Sequence, residues 1–363
     1  MGVRSSFIVG LGVVVLFSLA CARTYYTGPY RSRRPYLQAA SHDGLTVTHD
    51  GEHSFVISFD AQGMPRVKEG GKILRTPEYD QCDTIAWLEG SFAGVGLAAV
   101  SFSRNGLDWE RPMVVDKLVG DGSAMGICFD GKNYLVPTEE YEVLESADAK
   151  KWHRVEKLPV RYGQYCGIYC DAGEVLLFDR KDIYARKPDG SWEEFDGPFH
   201  NRRIDGGDQP LTLKTLTKCG DWYFALTDLN RRRECAVSRD LRHWSCILEN
   251  AGGEDYFAPS DVSFDGRTYV AVGGFKVGNV HHYIMTSTDA ITWRPARLEI
   301  PREDLPYPGL NAVTWDGSQF VALGDYRYIV TSRDGAEWRV VGREGANYHY
   351  QRNVEVKGSL FPW

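Results

Sequence analysis

Six tryptophans cut the chain into pieces of similar length. Trp109, Trp152, Trp192, Trp244, Trp293 and Trp338 lie 43, 40, 52, 49 and 45 residues apart. Five of them end a seven-residue string: SRNGLDW from Ser103, SADAKKW from Ser146, SRDLRHW from Ser238, STDAITW from Ser287 and SRDGAEW from Ser332. A shortened form, DGSW, runs from Asp189 to Trp192. The last repeat, Leu310 to Val341, shows the unit most fully: LNAVTWDGSQFVALGDYRYIVTSRDGAEWRVV. Its apolar runs are broken at Asp316-Gly317, at Gly324-Asp325 and at Ser332 to Trp338, so one unit holds four short strands and three turns. Four strands in a period of 40 to 50 residues make one blade of a propeller.

The chain is therefore expected to be all-β, a seven-bladed β-propeller of four-stranded blades, with a six-bladed ring as the alternative. Six full repeats begin near Cys82, Ala124, Tyr165, Leu213, Pro259 and Leu310, and their first strands align as DTIAW, MGICF, CGIYC, KTLTK, SDVSF and NAVTW. Lys218 stands where most repeats carry an aromatic residue. A seventh, partial repeat is read from GLTVTHDGEHSFVISFD, Gly44 to Asp60, which aligns with Gly309 to Asp325. No Ser-x-Asp turn is recognised after it, so its fourth strand is expected from Asn353 to Phe361. The last blade would then be closed by the N- and C-terminal segments together, which removes an exposed sheet edge.

A length of 363 residues would suit two or three domains in other chains, but a repeat array uses it in one closed ring. The propeller is assigned to residues 44–363. Residues 1–22 have the charged, apolar and small-residue regions of an export signal: Arg4, then Phe7 to Leu19, then Ala20-Cys21-Ala22. The apolar run is too short for a comfortable membrane span. Residues 23–43, with several arginines and prolines, read as an extended tether. The expected location is outside the cytoplasm: secreted, periplasmic or at the cell envelope. A formal net charge of −7 gives no electrostatic case for nucleic acid. Eight cysteines fit an oxidising compartment. Cys235 and Cys246 flank one turn and are expected to be near neighbours across a hairpin, a candidate disulfide.

The turn S-x-D-G-x-x-W resembles the Asp-box of sialidases and related BNR-type propellers, and the resemblance extends as a repeat pattern from residue 44 onward. It implies a structural role for these aspartates. A carboxylate such as that of Asp334 accepts turn amides, Gly335 takes a positive φ, and Trp338 packs between strands. In such propellers this turn lies opposite the ligand funnel. Ser18-Leu19-Ala20-Cys21 also resembles a bacterial lipoprotein box, which would place a lipid anchor at Cys21, the only membrane attachment expected.

Function is then expected on the other end of the ring, in the loops entering each first strand and the loops joining second to third strands. Those loops carry the candidate ligand-binding residues Asp83, Glu139, Tyr165, Arg180, Asp228, Arg231, His281, Asn311, Tyr326 and Arg327. Tyrosines beside hydrogen-bonding groups suit a sugar or a peptide. The sialidase resemblance offers an alternative, a glycoside hydrolase in which Arg180, Arg231 and Arg327 clamp a carboxylate while Tyr326, Glu139 and Asp83 carry the chemistry. The Arg-Ile-Pro string of that family does not occur. The resemblance also extends to the propeller that helps photosystem II assemble, in repeat type alone. Each arginine has an aspartate nearby in its own loop, so ion pairs with Asp179, Asp228 and Asp325 are expected instead of a clamp. His281 and His282 would point to opposite faces of a strand, which disfavours a shared metal, and no phosphate loop or nucleophile elbow is present. The leading expectation is a non-catalytic, monomeric module for binding or assembly of a glycan or protein partner, without cofactor or metal.

Overall fold

The computed structural model describes residues 39–50, 52–74, 82–96, 99–114, 124–138, 142–155, 165–171, 173–199, 211–227, 234–247, 259–273, 284–299, 309–324 and 328–343. Among the described residues there is no helix. Seven antiparallel meanders of four strands follow one another as seven blades: residues 39–72, 82–114, 124–155, 165–196, 213–246, 259–295 and 310–343. The innermost strands are Ala39–His42, Cys82–Leu88, Cys128–Phe129, Tyr165–Asp171, Leu213–Cys219, Pro259–Phe264 and Leu310–Trp315. They line the axis. Because each blade meanders, its first and third turns share one end of the ring. The second turn and the crossover to the next blade share the opposite end.

Apolar layers fill the spaces between blades. Val270, Val272 and Ile284 of blade 6 pack on Leu310, Val313, Phe320 and Tyr328 of blade 7. At the seam of the ring, Val321, Leu323 and Ile329 of blade 7 meet Phe55, Ile57 and Phe59 of blade 1. The seven-bladed reading is correct. Its predicted closure is not.

Blade 1 is complete within residues 39–72. Its strands are Ala39–His42, Leu45–His49, His53–Phe59 and Pro65–Lys72. Leu45–His49, aligned by sequence with a first strand, is the second strand, and Ala39–His42, placed in the tether, is the innermost one. Ala39–His42 lies against the first strands of both neighbours, Cys82–Leu88 and Leu310–Trp315. The error is one strand of register. It arose because Asp50-Gly51 imitates the first turn of a normal repeat, while the true first turn is Asp43-Gly44, both in the left-handed region at φ 48° and 77°. With the register corrected, Ser58 to Met64, SFDAQGM, falls at the third turn. There Asp60 Oδ1 accepts the amides of Gln62 and Met64 at 3.1 and 2.9 Å. The turn was missed because Met64 stands where other blades have tryptophan. Asn353 to Phe361 lies outside the described residues, and blade 1 has four strands within residues 39–72.

The third turns of blades 2, 3, 5, 6 and 7 share one set of bonds. Asp148, Asp240, Asp289 and Asp334 each accept two amides of their own turn at 2.7 to 3.0 Å, and Asn105 does the same in blade 2. The tryptophan indole then closes the turn: Trp152, Trp244, Trp293 and Trp338 donate to the carbonyls of Ala149, Leu241, Ala290 and Gly335. Trp109 instead reaches Ser54 Oγ of blade 1 at 2.9 Å. Positive φ is held by Gly106 and Gly335, as expected, but also by Ala149, Leu241 and Ala290. The carboxylate and indole bonds hold these three side-chain-bearing residues in a conformation glycine adopts more readily.

Cysteine chemistry also departs from expectation. Cys128 and Cys170, on the first strands of blades 3 and 4, form a disulfide with Cα atoms 5.6 Å apart. Cys235 and Cys246 keep their thiols. Cys246 pairs with Ala236 across the hairpin, so it shares the face of Ala236 in the layer toward blade 4. Cys235, one residue earlier, projects to the other face, in the layer toward blade 6. A one-residue offset in a strand places two side chains on opposite sides of the sheet.

Blade 7 carries an addition. Arg297–Glu299, in the connection from blade 6, pairs in parallel with Glu337–Arg343 and covers the outer edge of that blade.

Candidate functional site

The first strands of blades 2, 4, 5, 6 and 7 break register at the same place. Two residues on the first strand oppose one on the second between Cys82 and Thr84, Tyr165 and Gly167, Leu213 and Thr215, Pro259 and Asp261, and Leu310 and Ala312. Blade 3 has the same excess, since Ala124 opposes Thr138 and Cys128 opposes Leu135. A bulge of this kind leaves its extra residue out of the ladder and re-aims it. The residues concerned are Asp83, Met125, Cys166, Lys214, Ser260 and Asn311. Each sits at the beginning of a strand that lines the axis, so all six lie toward the end of the ring that carries the second turns and crossovers. Blade 1 pairs in regular register along its whole first strand.

Of the ten residues singled out in the sequence, four are described. Asp83 and Asn311 occupy equivalent bulges, Tyr165 opens the bulged strand of blade 4, and Arg180 lies in the second turn of that blade. The structure thus brings these four to one end of the ring. Glu139, Asp228, Arg231, His281, Tyr326 and Arg327 lie outside the described residues. So do His282, Asp325 and the segments assigned to signal and lipid box.

Asp83 is half-buried, and among the described residues no cation or donor meets its carboxylate. Burial pushes its pKa up to about 6. Arg180 is exposed, and its carbonyl accepts the amide of Leu213 at 2.8 Å, which ties the second turn of blade 4 to the start of blade 5. The expected Arg180 to Asp179 ion pair does not form. The Asp179 carboxylate is turned inward, accepting the amides of Lys181 and Asp182 at 2.6 and 2.7 Å and the Tyr184 hydroxyl at 3.2 Å. Burial raises its pKa, against the pull of those amides.

Sequence reasoning passed over Lys214 and Ser260, although the aligned first strands contain the signal. The leading column reads Asp83, Met125, Cys166, Lys214, Ser260 and Asn311, and it varies in chemistry while the column two places on is aliphatic throughout. Asp261, next to a bulge, was missed as well. Its carboxyl is 7% exposed and bridges two blades, accepting the amides of Val262 at 2.8 Å and of Val313 in blade 7 at 2.9 Å. Burial pushes its pKa up to about 7, more than the two amides pull it down.

The opposite end of the ring is a packed aromatic surface. Trp87 with Phe92, Phe129 with Tyr134, Phe264 with Tyr269 and Trp315 with Phe320 are cross-strand pairs between first and second strands, with ring centroids 4.1 to 4.9 Å apart. His42 of blade 1 stacks on Trp87 at 3.9 Å. Lys218, the exception noted in the sequence, lies over the Tyr223 ring and pairs with Glu174 of blade 4 at 3.0 Å. Glu174 also accepts the Tyr223 hydroxyl, so an interblade ion pair substitutes for the usual stack. No group of three or more metal-ligating side chains is present among the described residues.

No protein-family model matches the chain, and no curated protein sequence matches it. Solved structures do. A catalytically inactive virginiamycin B lyase from Staphylococcus aureus, with quinupristin, superposes at a TM-score of 0.56 and 10% identity, covering 82% of this chain and 96% of that one. A chain of a mitotic checkpoint complex superposes at 0.55 and 12% identity, over 86% and 98% of the two chains. The extracellular domain of a one component system from B. thetaiotaomicron gives 0.52 at 8% identity, over 82% of this chain and 39% of that one. At such low identity the likeness is one of architecture, and the chain is a seven-bladed β-propeller.

Proposed function

We propose that this protein is an exported, non-catalytic binding module that engages a protein or glycan partner through the end of the ring where the bulged first strands begin. The shared bulge carries the reading. Six blades spend one residue of ladder pairing at the same register, and the residue released there differs from blade to blade, whereas the residue two places on, Ile85, Ile127, Ile168, Leu216, Val262 or Val313, is aliphatic in every one. A feature kept in geometry and varied in chemistry suits recognition better than packing. The Ser-x-Asp aspartates are unsuited to catalysis because each carboxylate is committed to two amides of its own turn. Propellers of similar architecture occur in a protein assembly and with a bound small molecule, and the first of these supports a protein partner. The export signal within residues 1–22 ends before Cys21, which becomes the lipidated mature N-terminus, and the mature protein is a monomer.

The test uses the mature protein and the double variant Asp83→Asn, Lys214→Gln. Crosslinking in the native envelope and a glycan array should report one partner class for the wild type, reduced at least about tenfold in the variant. Turnover of a fluorogenic glycoside panel, lost in Arg180→Ala, would show a hydrolase instead. Mass spectrometry of the mature N-terminus checks the anchor.

A further inference from the structure

The seam between blades 7 and 1 contains a cleft of about 460 Å³ on the Ser-x-Asp end of the ring, remote from the bulges. Gln62, Gln319, Arg333, Trp338 and Arg339 are the lining residues that matter. Its origin is the degenerate turn of blade 1. Elsewhere the turn ends in a tryptophan set between strands. Here Met64 takes that place and is 52% exposed, and Gln62 borders an open space. Arg339 crosses it from blade 7, lying so close to Gly63 that a Cβ there would stand 2.8 Å from its Nη2.

The lining is chemically specific. Arg333 and Arg339 are exposed and have no ion pair among the described residues. The side chain of Gln319 is 8% exposed, and among the described residues its carboxamide meets no partner; only its backbone is bonded, to Asp316. A carboxamide that reaches the cleft with no partner among the described residues, beside two guanidinium groups, suits a ligand that supplies an oxyanion and further hydrogen-bonding groups. The acidic neighbours limit how much negative charge fits. Asp334 is held ionised by the amides of Ala336 and Glu337, which keep its pKa low. Glu337 stands on the rim, 3.9 Å from Arg297. Arg297, Arg333 and Arg339 against Asp334 and Glu337 leave one net positive charge, room for one added negative charge and not for a polyanion.

We infer that the seam cleft is a second ligand site, for a sugar acid: a saccharide unit bearing one carboxylate, held by Arg333 and Arg339, with its hydroxyls on Gln62 and Gln319. The volume falls in the range of small-molecule sites. Ligand bound there would touch both blade 7 and blade 1.

Isothermal titration of the mature protein with D-glucuronate, D-glucose and inorganic sulfate tests the assignment. Glucuronate should bind, glucose at least about tenfold more weakly, and Arg333→Gln or Arg339→Gln should each weaken glucuronate about tenfold or more. Both arginines are exposed, so these variants are expected to fold, with an unchanged melting temperature as the check. Gln319→Leu should remove the preference for glucuronate over acetate while leaving the arginine-dependent component. Equal affinity for glucose, sulfate binding as tight as glucuronate, no glucuronate binding, or binding insensitive to both arginine variants overturns the assignment. Because Asp83 and Lys214 lie at the other end of the ring, Asp83→Asn, Lys214→Gln should leave this titration unchanged, which separates failure here from failure of the partner-binding proposal.

Discussion

Asp261 makes folding stability depend on pH in a window where most carboxylates are silent. In the unfolded chain its carboxyl titrates near 3.8, and in the native ring burial raises this to about 7. Between those values the folded protein holds a proton that the unfolded chain has released. Stability is therefore fully supported below about pH 4 and lost as pH rises toward 7. The slope is about 1.4 kcal/mol per pH unit at its steepest, and the whole window amounts to about 4 kcal/mol. Asp83, raised to about 6, adds to the loss in the same direction, less strongly because it is only half-buried. Asp261→Asn removes the titration but also leaves one of the two amides, Val262 or Val313, without an acceptor, at a cost of about 1–3 kcal/mol. Absolute stability of the variant is then a poor readout, and the pH slope is the useful one. Buried His49, its pKa lowered to about 4 by desolvation, works the other way and adds stability as pH rises toward 6.5. Urea unfolding at half-unit steps from pH 4.5 to 7.5 should therefore show the stability of wild type falling relative to Asp261→Asn as pH rises. Equal slopes in the two proteins would refute the reasoning. A native carboxyl signal of Asp261 titrating near 4 by NMR would do the same.

Asp334→Ala should destabilise the fold by about 1–2 kcal/mol, seen as a lower urea midpoint, because two turn amides lose their acceptor; partner binding at the bulged end should not change. Replacing Cys128 by Ser should cost about 4 kcal/mol on the loop-entropy argument for a 42-residue separation. Thiol mapping of the oxidised protein should find Cys128 with Cys170 bridged, and Cys235 and Cys246 still alkylatable after unfolding. Removing residues 353–363 should shift the melting temperature by less than a few degrees, since blade 1 is complete without them; a chain that begins at Asp43 should aggregate, because it lacks the innermost strand of that blade.

The repeat made the architecture readable. Regularly spaced tryptophans and aspartate turns report local hydrogen bonding that every blade must satisfy, so strand count and blade count followed from them. Blade 1 was misread for a physical reason: an Asp-Gly turn has the same preferences whether it joins the first and second strands or the second and third. Only packing of Ala39–His42 against its neighbours distinguishes the two. The disulfide was misassigned because spacing along a hairpin says nothing about which face a side chain takes, and Cys128 with Cys170 meet only when two blades stack. Strand order alone was enough to put Asp83, Tyr165, Arg180 and Asn311 at one end of the ring. Lys214 and Ser260 needed the bulge, which no local preference announces. Asp261 was invisible because its amide partner Val313 belongs to another repeat.

The complete first blade has a consequence for how the ring forms. Each blade is a meander of neighbouring residues, so its hairpins close over short stretches of chain. Blades 1 to 7 can therefore appear in the order of synthesis, each condensing on the one before. The seam is different. Phe55 and Ile57 must find Val321, Leu323 and Ile329 across more than 250 residues, and among the described residues no strand is lent from one end of the chain to the other. Closure is thus the last and slowest event, a docking of two finished surfaces, and the amide of Gly44 meets the carbonyl of Asp316 only then. An unclosed ring would display the apolar sides of blades 1 and 7 together, which makes two such chains natural partners in a swapped, doubled ring at high concentration.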